Sequence, residues 1–129
     1  MANQKIIAEV MTKNPSTVGK HVPIKKVAQL MRENRLRHLP VEERGKIIGM
    51  ISDRDVKLAS GFADPATLTA EEIMTPDPYV VKPDTKLNDV VSAMAEHKYG
   101  SCIIENENHH SVGIFTSVDA LRLLAEYLA

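Results

Sequence analysis

The chain has 129 residues, and its 16 basic and 17 acidic side chains give a formal net charge of −1 at pH 7. Nucleic-acid and membrane-surface binding need clustered Lys and Arg, so this balance argues against both functions. Hydrophobic residues make up 43% of the chain and aromatic residues 4%, which predicts a buried core built from Val, Ile, Leu, Met and Ala.

Targeting and redox features point to an ordinary intracellular protein. The apolar runs are far too short to span a bilayer, and the N-terminus lacks the charged-then-apolar pattern of a signal peptide. A single cysteine, Cys102, excludes an internal disulfide framework. We therefore expect a cytoplasmic protein.

The elements predicted along the chain occur twice. Val10-Met11-Thr12 returns as Ile73-Met74-Thr75, and Pro15 returns as Pro78, both 63 residues later. Each copy continues with apolar residues at i, i+3, i+4 and i+7, which predicts one buried face of a helix. These positions are Ile24, Val27, Ala28 and Met31 in the first copy, and Leu87, Val90, Val91 and Met94 in the second. The methionines of both copies are expected at core positions.

Each helix is followed by two apolar segments that read as the strands of a hairpin. They cover residues 37–41 and 47–51 in the first copy, and residues 100–104 and 111–115 in the second. A closing helix begins after Ser52 and after Thr116. The prediction is an α+β fold of two tandem β-α-β-β-α repeats, at residues 8–62 and 72–127, joined by a connector at residues 63–71 and sharing one core.

Three motifs in this order resemble the cystathionine β-synthase (CBS) domain. They are the hydrophobic-Met-Thr opening, the segment Arg37-His38-Leu39-Pro40-Val41, and the run from Gly49 to Asp55, which has a second copy from Gly113 to Asp119. The resemblance implies a pseudo-two-fold pair of repeats, often called a Bateman module, that binds an adenosine-containing ligand and regulates another protein. AMP, ADP or ATP is the expected regulatory ligand, S-adenosylmethionine or NAD(H) is the alternative, and no cofactor is expected to be required.

The resemblance also implies two clefts, each combining the hydroxyl and carboxylate of one copy with the opening loop and first strand of the other. The first expected cleft contains Thr116, Ser117, Val118, Asp119, Thr12, Pro15, Ser16, Thr17, Leu36, Arg37 and His38. The second contains Ser52, Arg54, Asp55, Thr75, Pro78, Tyr79, Val80, Tyr99, Gly100 and Ser101. The Asp is expected to bind the ribose hydroxyls, the Ser or Thr to lie near the phosphate, and the opening loops to hold the adenine.

The Ser/Thr-x-x-Asp pattern has a second interpretation that needs no ligand. A hydroxyl at a helix start with a carboxylate three residues later resembles a capping box, although Glu is the usual partner. A cap hydroxyl can serve both roles. Arg37 fits a phosphate through its guanidinium fork or remains an exposed strand-end charge. His38 either contacts a phosphate or packs at the strand start, which is favoured. Arg54 either serves the second cleft or remains a solvated helix residue.

Other chemistry is weakly supported by the sequence. His109 and His110 are adjacent on a hairpin and point to opposite faces, so a metal site is not expected. Cys102 lies among apolar residues and is expected to be an inert core thiol. The chain has no phosphate-binding Gly loop or nucleophile elbow, which argues against an enzyme. The expected partners are a second copy, in a homodimer, and a regulated protein on a separate chain, with a ligand-free dimerisation module as the alternative function.

Overall fold

The computed structural model describes residues 5–61 and 64–129, and the chain divides into two compact units that do not coincide with the sequence repeats. The continuous unit is Ser16–Pro78, and the two-segment unit combines the residues up to Pro15 with Tyr79–Ala129. The expected end of the first repeat at Phe62 and the first connector residue, Ala63, lie outside the described residues.

The continuous unit contains a four-stranded sheet of order β2-β3-β4-β5 with three helices. Its elements are β2 (Val18–Gly19), α1 (Ile24–Glu33), β3 (His38–Glu43), β4 (Lys46–Ser52), α2 (Asp53–Ser60), α3 (Ala70–Ile73) and β5 (Thr75–Pro76). Apolar residues of α1, β3 and β4 form its core, including Val27, Leu39 and Ile51.

The two-segment unit repeats this plan with a sheet of order β1-β8-β7-β6. Its elements are a 3-10 helix (Ile7–Glu9), β1 (Thr12–Lys13), β6 (Val80–Val81), α4 (Leu87–His97), β7 (Ser101–Glu105), β8 (Ser111–Thr116) and α5 (Ser117–Leu128). Ile7, Val90, Ile104 and Phe115 are among its buried core residues.

One of the two outer strands of each sheet, β1 or β5, comes from the opening segment of the other repeat. Thr12 in β1 is opposite Ile114 in β8, and Thr75 in β5 is opposite Met50 in β4. Met11, just before β1, packs against Gly113, and Met74, just before β5, packs against Gly49. Neither position has space for a larger residue. A Cβ added to Gly113 would collide with Met11, and a Cβ added to Gly49 would collide with Met74 and the Thr75 carbonyl. Each opening segment therefore adds an outer strand to the sheet of the other repeat.

The predicted α+β fold of two similar repeats is confirmed, and the structure adds the short 3-10 helix and α3 to it. Residues 63–71 were expected to be a connector, but α3 begins at Ala70 because the Thr69 N–H and hydroxyl both donate to Glu72 Oε1. This Thr-x-x-Glu capping signal is readable in the sequence. Across residues 5–61 and 64–129, no helix combines the length and apolar character needed to cross a bilayer.

Candidate functional site

The junction between β4 and α2 places Ser52 and Asp55 at the start of a helix. Ser52 has an extended backbone, and its hydroxyl oxygen accepts a hydrogen bond from the Asp55 N–H at 3.2 Å. The Ser52 N–H donates to Asp55 Oδ2 at 2.8 Å. This reciprocal pair satisfies backbone donors that the first turn of a helix leaves without partners.

The junction between β8 and α5 has the same arrangement. The Thr116 N–H and hydroxyl donate to Asp119 Oδ2 at 2.8 and 3.2 Å, and the Asp119 N–H lies 3.4 Å from the Thr116 hydroxyl oxygen. The Asp119 side chain is 21% exposed, and its Oδ1 lies 3.9 Å from Arg122 Nη1. The capping interpretation is therefore confirmed in both copies.

Capping uses only one of the two oxygens of each carboxylate. Both caps use Oδ2, whereas an ionised carboxylate offers about four lone-pair positions on two oxygens. The Oδ1 atoms of Asp55 and Asp119 can therefore accept further hydrogen bonds while the cap stays intact. Each junction also lies at a helix N-terminus, where the peptide dipoles favour an anion.

In the continuous unit, the predicted residues Arg37 and His38 lie beside Ser52. His38 is the register partner of Ser52, and the Arg37 carbonyl accepts a hydrogen bond from the Asp53 N–H at 3.0 Å. This unit also holds further predicted residues, namely Ser16, Leu36, Arg54, Thr75 and Pro78. Thr17 belongs to the unit too, but its hydroxyl donates to Glu42 near the opposite end of β3, at 3.1 Å.

In the two-segment unit, Ser101 is the register partner of Thr116, and the Gly100 carbonyl accepts from the Ser117 N–H at 3.0 Å. Tyr79 and Tyr99 stack with ring centroids 4.9 Å apart, and burial raises the pKa of Tyr79. The unit also contains the predicted residues Thr12, Pro15, Val80 and Val118.

This grouping differs from the residue sets expected for the two clefts. Arg37 and His38 share a unit with Ser52 and Asp55, although they were expected to serve the cleft of Thr116 and Asp119. Tyr79, Tyr99, Gly100 and Ser101 likewise share a unit with Thr116. The expected clefts therefore draw on residues of both units, and their residue sets stay a prediction.

The two junctions differ in charge. Arg37 and Arg54 flank Ser52, both are exposed, and within the described ranges neither forms an ion pair with a carboxylate. The corresponding residues beside Thr116 are Gly100 and Val118, which carry no charge. The Ser52 junction is therefore suited to an anionic group, whereas at the Thr116 junction the nearby cation, Arg122, is paired with Asp119.

Neither His109 nor Cys102 forms part of an evident reactive centre. His109 Nδ1 lies 3.6 Å from Glu105 Oε1, and among residues 5–61 and 64–129 no three His, Cys, Asp or Glu side chains are grouped to hold a metal ion. Cys102 is fully buried, and burial raises the pKa of its thiol to about 12. The expected core position of Cys102 is confirmed.

The structure is that of a tandem pair of small α+β domains. Each unit has a capped carboxylate at a strand-to-helix junction. Comparison with known families identifies the family of this pair. The family model of the CBS domain matches residues 7–61 and 70–126. The chain therefore belongs to the CBS domain family. No enzyme family is indicated for it.

Among proteins of known sequence, hypoxic response protein 1 of Mycobacterium tuberculosis is 32% identical over 123 residues, covering 92% of this chain and 85% of that protein. A crystal structure of Hypoxic Response Protein I contains two coordinated zinc ions. It has a TM-score of 0.77 and 31% identity, and the alignment covers 92% of this chain and 98% of that one.

Two other solved structures contain adenosine-based ligands. The CBS domain pair of protein MJ0100, in complex with 5′-methylthioadenosine and S-adenosyl-L-methionine, has a TM-score of 0.85 and 26% identity, covering 95% of this chain and 98% of that one. The cytosolic domain of the Mg²⁺ channel MgtE, in complex with ATP, has a TM-score of 0.78 and 25% identity, covering 94% of this chain and 49% of that one.

Proposed function

We propose that this chain is a regulatory module that binds an adenosine-containing ligand, with Asp55 and Asp119 as the ribose contacts. The observation that carries the proposal is that each cap uses Oδ2 and leaves Oδ1 of the carboxylate outside the cap. A carboxylate accepts strong hydrogen bonds from vicinal hydroxyls, and here the cap holds it in place before the ligand arrives. The ligands bound by the MJ0100 pair and by MgtE, all of which contain adenosine, support this assignment.

We further propose that the two junctions prefer different ligands. Arg37 and Arg54 beside Ser52 favour the phosphates of AMP, ADP or ATP, because guanidinium groups bind phosphate oxygens in pairs. The Thr116 junction, where Arg122 is paired with Asp119, favours a nucleoside whose 5′ substituent carries no phosphate, such as 5′-methylthioadenosine or S-adenosylmethionine. NAD(H) is the remaining alternative.

In the proposed mechanism, the ligand regulates a protein on a separate chain. A ligand can shift a conformational equilibrium only by its difference in affinity for the two states. Each carboxylate lies in the first turn of α2 or α5, so a ligand held by it also holds the start of that helix. The partner protein is then expected to bind with an affinity that depends on the position of these helices.

Thermal unfolding with AMP, ATP, S-adenosylmethionine and 5′-methylthioadenosine tests the binding. A ligand at 100 times its Kd is expected to add about 2.7 kcal/mol of stability. The informative variants are Asp55→Glu and Asp119→Glu. Glu is the usual residue at this position of a capping box, so the free protein should stay folded, whereas the carboxylate moves by one methylene and loses its contact with the ribose.

The chain supplies a matched control in its third capping box. Glu72→Asp makes the reciprocal change at the start of α3, in a cap that contains neither Asp55 nor Asp119, and should leave every ligand-induced shift unchanged. Full ligand shifts in both Asp→Glu variants would remove Asp55 and Asp119 from the site. If the wild type responds to none of the four ligands, ligand sensing itself fails and a ligand-free association module becomes the better description.

A further inference from the structure

Helices α1 and α2 of the continuous unit contact each other and present exposed cations on one surface. These cations are Lys25 and Arg32 on α1 and Lys57 on α2. Their counterparts in the other repeat all line one groove between α4 and α5, and are Asn88, Ala95 and Leu121. Because the two units share a backbone plan, the three cations lie along the corresponding groove. We call this surface the α1–α2 face.

The cations of the α1–α2 face have no ionic partner within the described ranges. The carboxylates closest to α1 in sequence bond elsewhere. Glu33 Oε1 accepts a hydrogen bond from Gln29 Nε2 at 2.7 Å, and Asp64 Oδ1 accepts from a backbone N–H at 2.9 Å. Asp53 is the one acidic residue whose counterpart lines the α4–α5 groove, and it is half-buried. The face therefore keeps an excess of positive charge.

Neither the fold nor helix stability accounts for this charge. The two-segment unit forms the same helix pair with no charge at the three corresponding positions. A cation is favourable in the last turn of a helix, where Arg32 and Lys57 lie, and unfavourable in the first turn. Lys25 nevertheless lies in the first turn of α1, which contains no acidic residue. A cation that opposes the helix dipole and lacks a partner in the described part of its own chain indicates a partner outside it.

We propose that the α1–α2 face is a docking site for an acidic helix of the regulated protein. Lys25 and Arg32 are seven residues apart, so they lie on one side of α1, about 10 Å from each other along its axis. Two carboxylates with the same spacing on a partner helix match them, and a third carboxylate reaches Lys57. Charge complementarity of this kind speeds encounter and selects the partner.

A protein segment fits this face better than a nucleic acid does. Three cations on a chain of net charge −1 are fewer than the clustered Lys and Arg that a phosphate backbone requires. The inference rests on the proposed function only in identifying the partner as the regulated protein. Docking itself requires no nucleotide.

NMR titration of the ¹⁵N-labelled protein, without nucleotide, tests the docking. The probe is a helical peptide with Glu residues seven apart on one face, and its reference is the same peptide with Gln at those positions. The Glu peptide should shift the amide signals of Lys25, Arg32 and Lys57, and the Gln peptide should not. Arg32→Glu with Lys57→Glu should raise the Kd of the Glu peptide by about 10-fold or more, because two attractive contacts become repulsive.

Lys26→Glu is the matched control. Lys26 is exposed on the same helix but points about 100° away from Lys25, so the same change of charge should leave the Kd nearly unchanged. All the substituted residues are exposed, and circular dichroism of each variant should match the wild type. Added salt should weaken the binding of the Glu peptide.

Three results would overturn the proposal: no signal shift with the Glu peptide, equal binding of the Gln peptide, or equal weakening by Lys26→Glu. Tighter binding of a DNA or RNA oligonucleotide at the same residues would also overturn it, since the face would then be a nucleic-acid site. The thermal shifts with adenosine ligands are measured separately. Intact thermal shifts without peptide docking would remove this inference alone, and docking without thermal shifts would remove ligand sensing alone.

Discussion

The two units have one backbone plan but different surfaces. At the strand-to-helix junction, the continuous unit has Arg37 and Arg54 where the two-segment unit has Gly100 and Val118. On the second helix, the continuous unit has Lys57 where the two-segment unit has an exposed leucine. The capping residues are therefore alike in the two units, whereas the side chains around the junctions differ. This difference in charge is the basis of the proposed phosphate site in the continuous unit.

The largest effect is expected from removing the cationic groups of the Ser52 junction. Hydrogen bonds to charged groups contribute about 1.5–3 kcal/mol each, so Arg37→Ala with Arg54→Ala should weaken ATP binding by about 100-fold or more. Binding of 5′-methylthioadenosine, which has no phosphate, should change little. Isothermal titration calorimetry with both ligands measures the difference.

A double-mutant cycle then decides which carboxylate Arg37 serves. If Arg37 acts with its own unit, Arg37→Ala should be non-additive with Asp55→Glu and additive with Asp119→Glu. The reverse pattern would favour the cleft expected from the sequence, in which Arg37 serves Thr116 and Asp119. Equal ATP affinity in the wild type and the double arginine variant would remove the charge difference as an explanation for ligand preference.

An intermediate effect is expected where the opening segments pack on the sheets. Gly49→Ala should destabilise the protein by about 2–3 kcal/mol, toward the upper end of overpacking costs, because the new methyl group meets both Met74 and the Thr75 backbone carbonyl. Gly113→Ala should cost about 1 kcal/mol, because only the flexible Met11 side chain must move. Urea unfolding measures both values.

The counterpart changes on the methionines sharpen this test. Met11→Ala should reduce the additional cost of Gly113→Ala, whereas Met74→Ala should leave part of the cost of Gly49→Ala, because the Thr75 carbonyl remains in place. Equal costs for the two glycine variants would contradict the difference in packing between the two sheets.

The smallest effect concerns the ion pair of Lys20 with Glu43, which has no counterpart among the described residues of the two-segment unit. The hydrogen bond with Glu43 raises the pKa of Lys20, and the same bond lowers the pKa of Glu43. The repeat counterparts are Pro83 and Asn106, which carry no charge. The contribution of Glu43 is complete above its ordinary pKa of 4.5 and is lost as the pH falls through its lowered value. The contribution of Lys20 to stability is complete below its ordinary pKa of 10.5 and is lost as the pH rises through its raised pKa.

The melting temperature of Glu43→Gln measures this pair. It should lie slightly below that of the wild type at neutral pH, and the difference should shrink in acid and at high salt, because exposed ion pairs are weak and screened. Glu107→Gln, the same change at an exposed residue in the turn of the other unit, serves as the control. A difference that persists in acid would assign the effect of Glu43→Gln to packing.

Much of the candidate site could be predicted from local sequence. Ser52 with Asp55 and Thr116 with Asp119 form the contacts that their spacing indicates, because a capping box depends on residues only three apart. The same rule applied to Thr69 and Glu72 predicts α3. The charge around each junction can also be read from aligned positions, since repeats that fold alike place corresponding side chains alike.

The sequence by itself determined the two repeats, their helices and hairpins, and the position of each capped carboxylate. Only the tertiary structure decided that each opening segment joins the sheet of the other repeat, and therefore which residues share a unit. The physical reason is that a sheet edge can pair with any strand whose backbone donors and acceptors match. The choice here depends on the packing of Met11 on Gly113 and of Met74 on Gly49. The first pair is far apart in sequence and the second crosses a repeat boundary, so no local pattern encodes either contact.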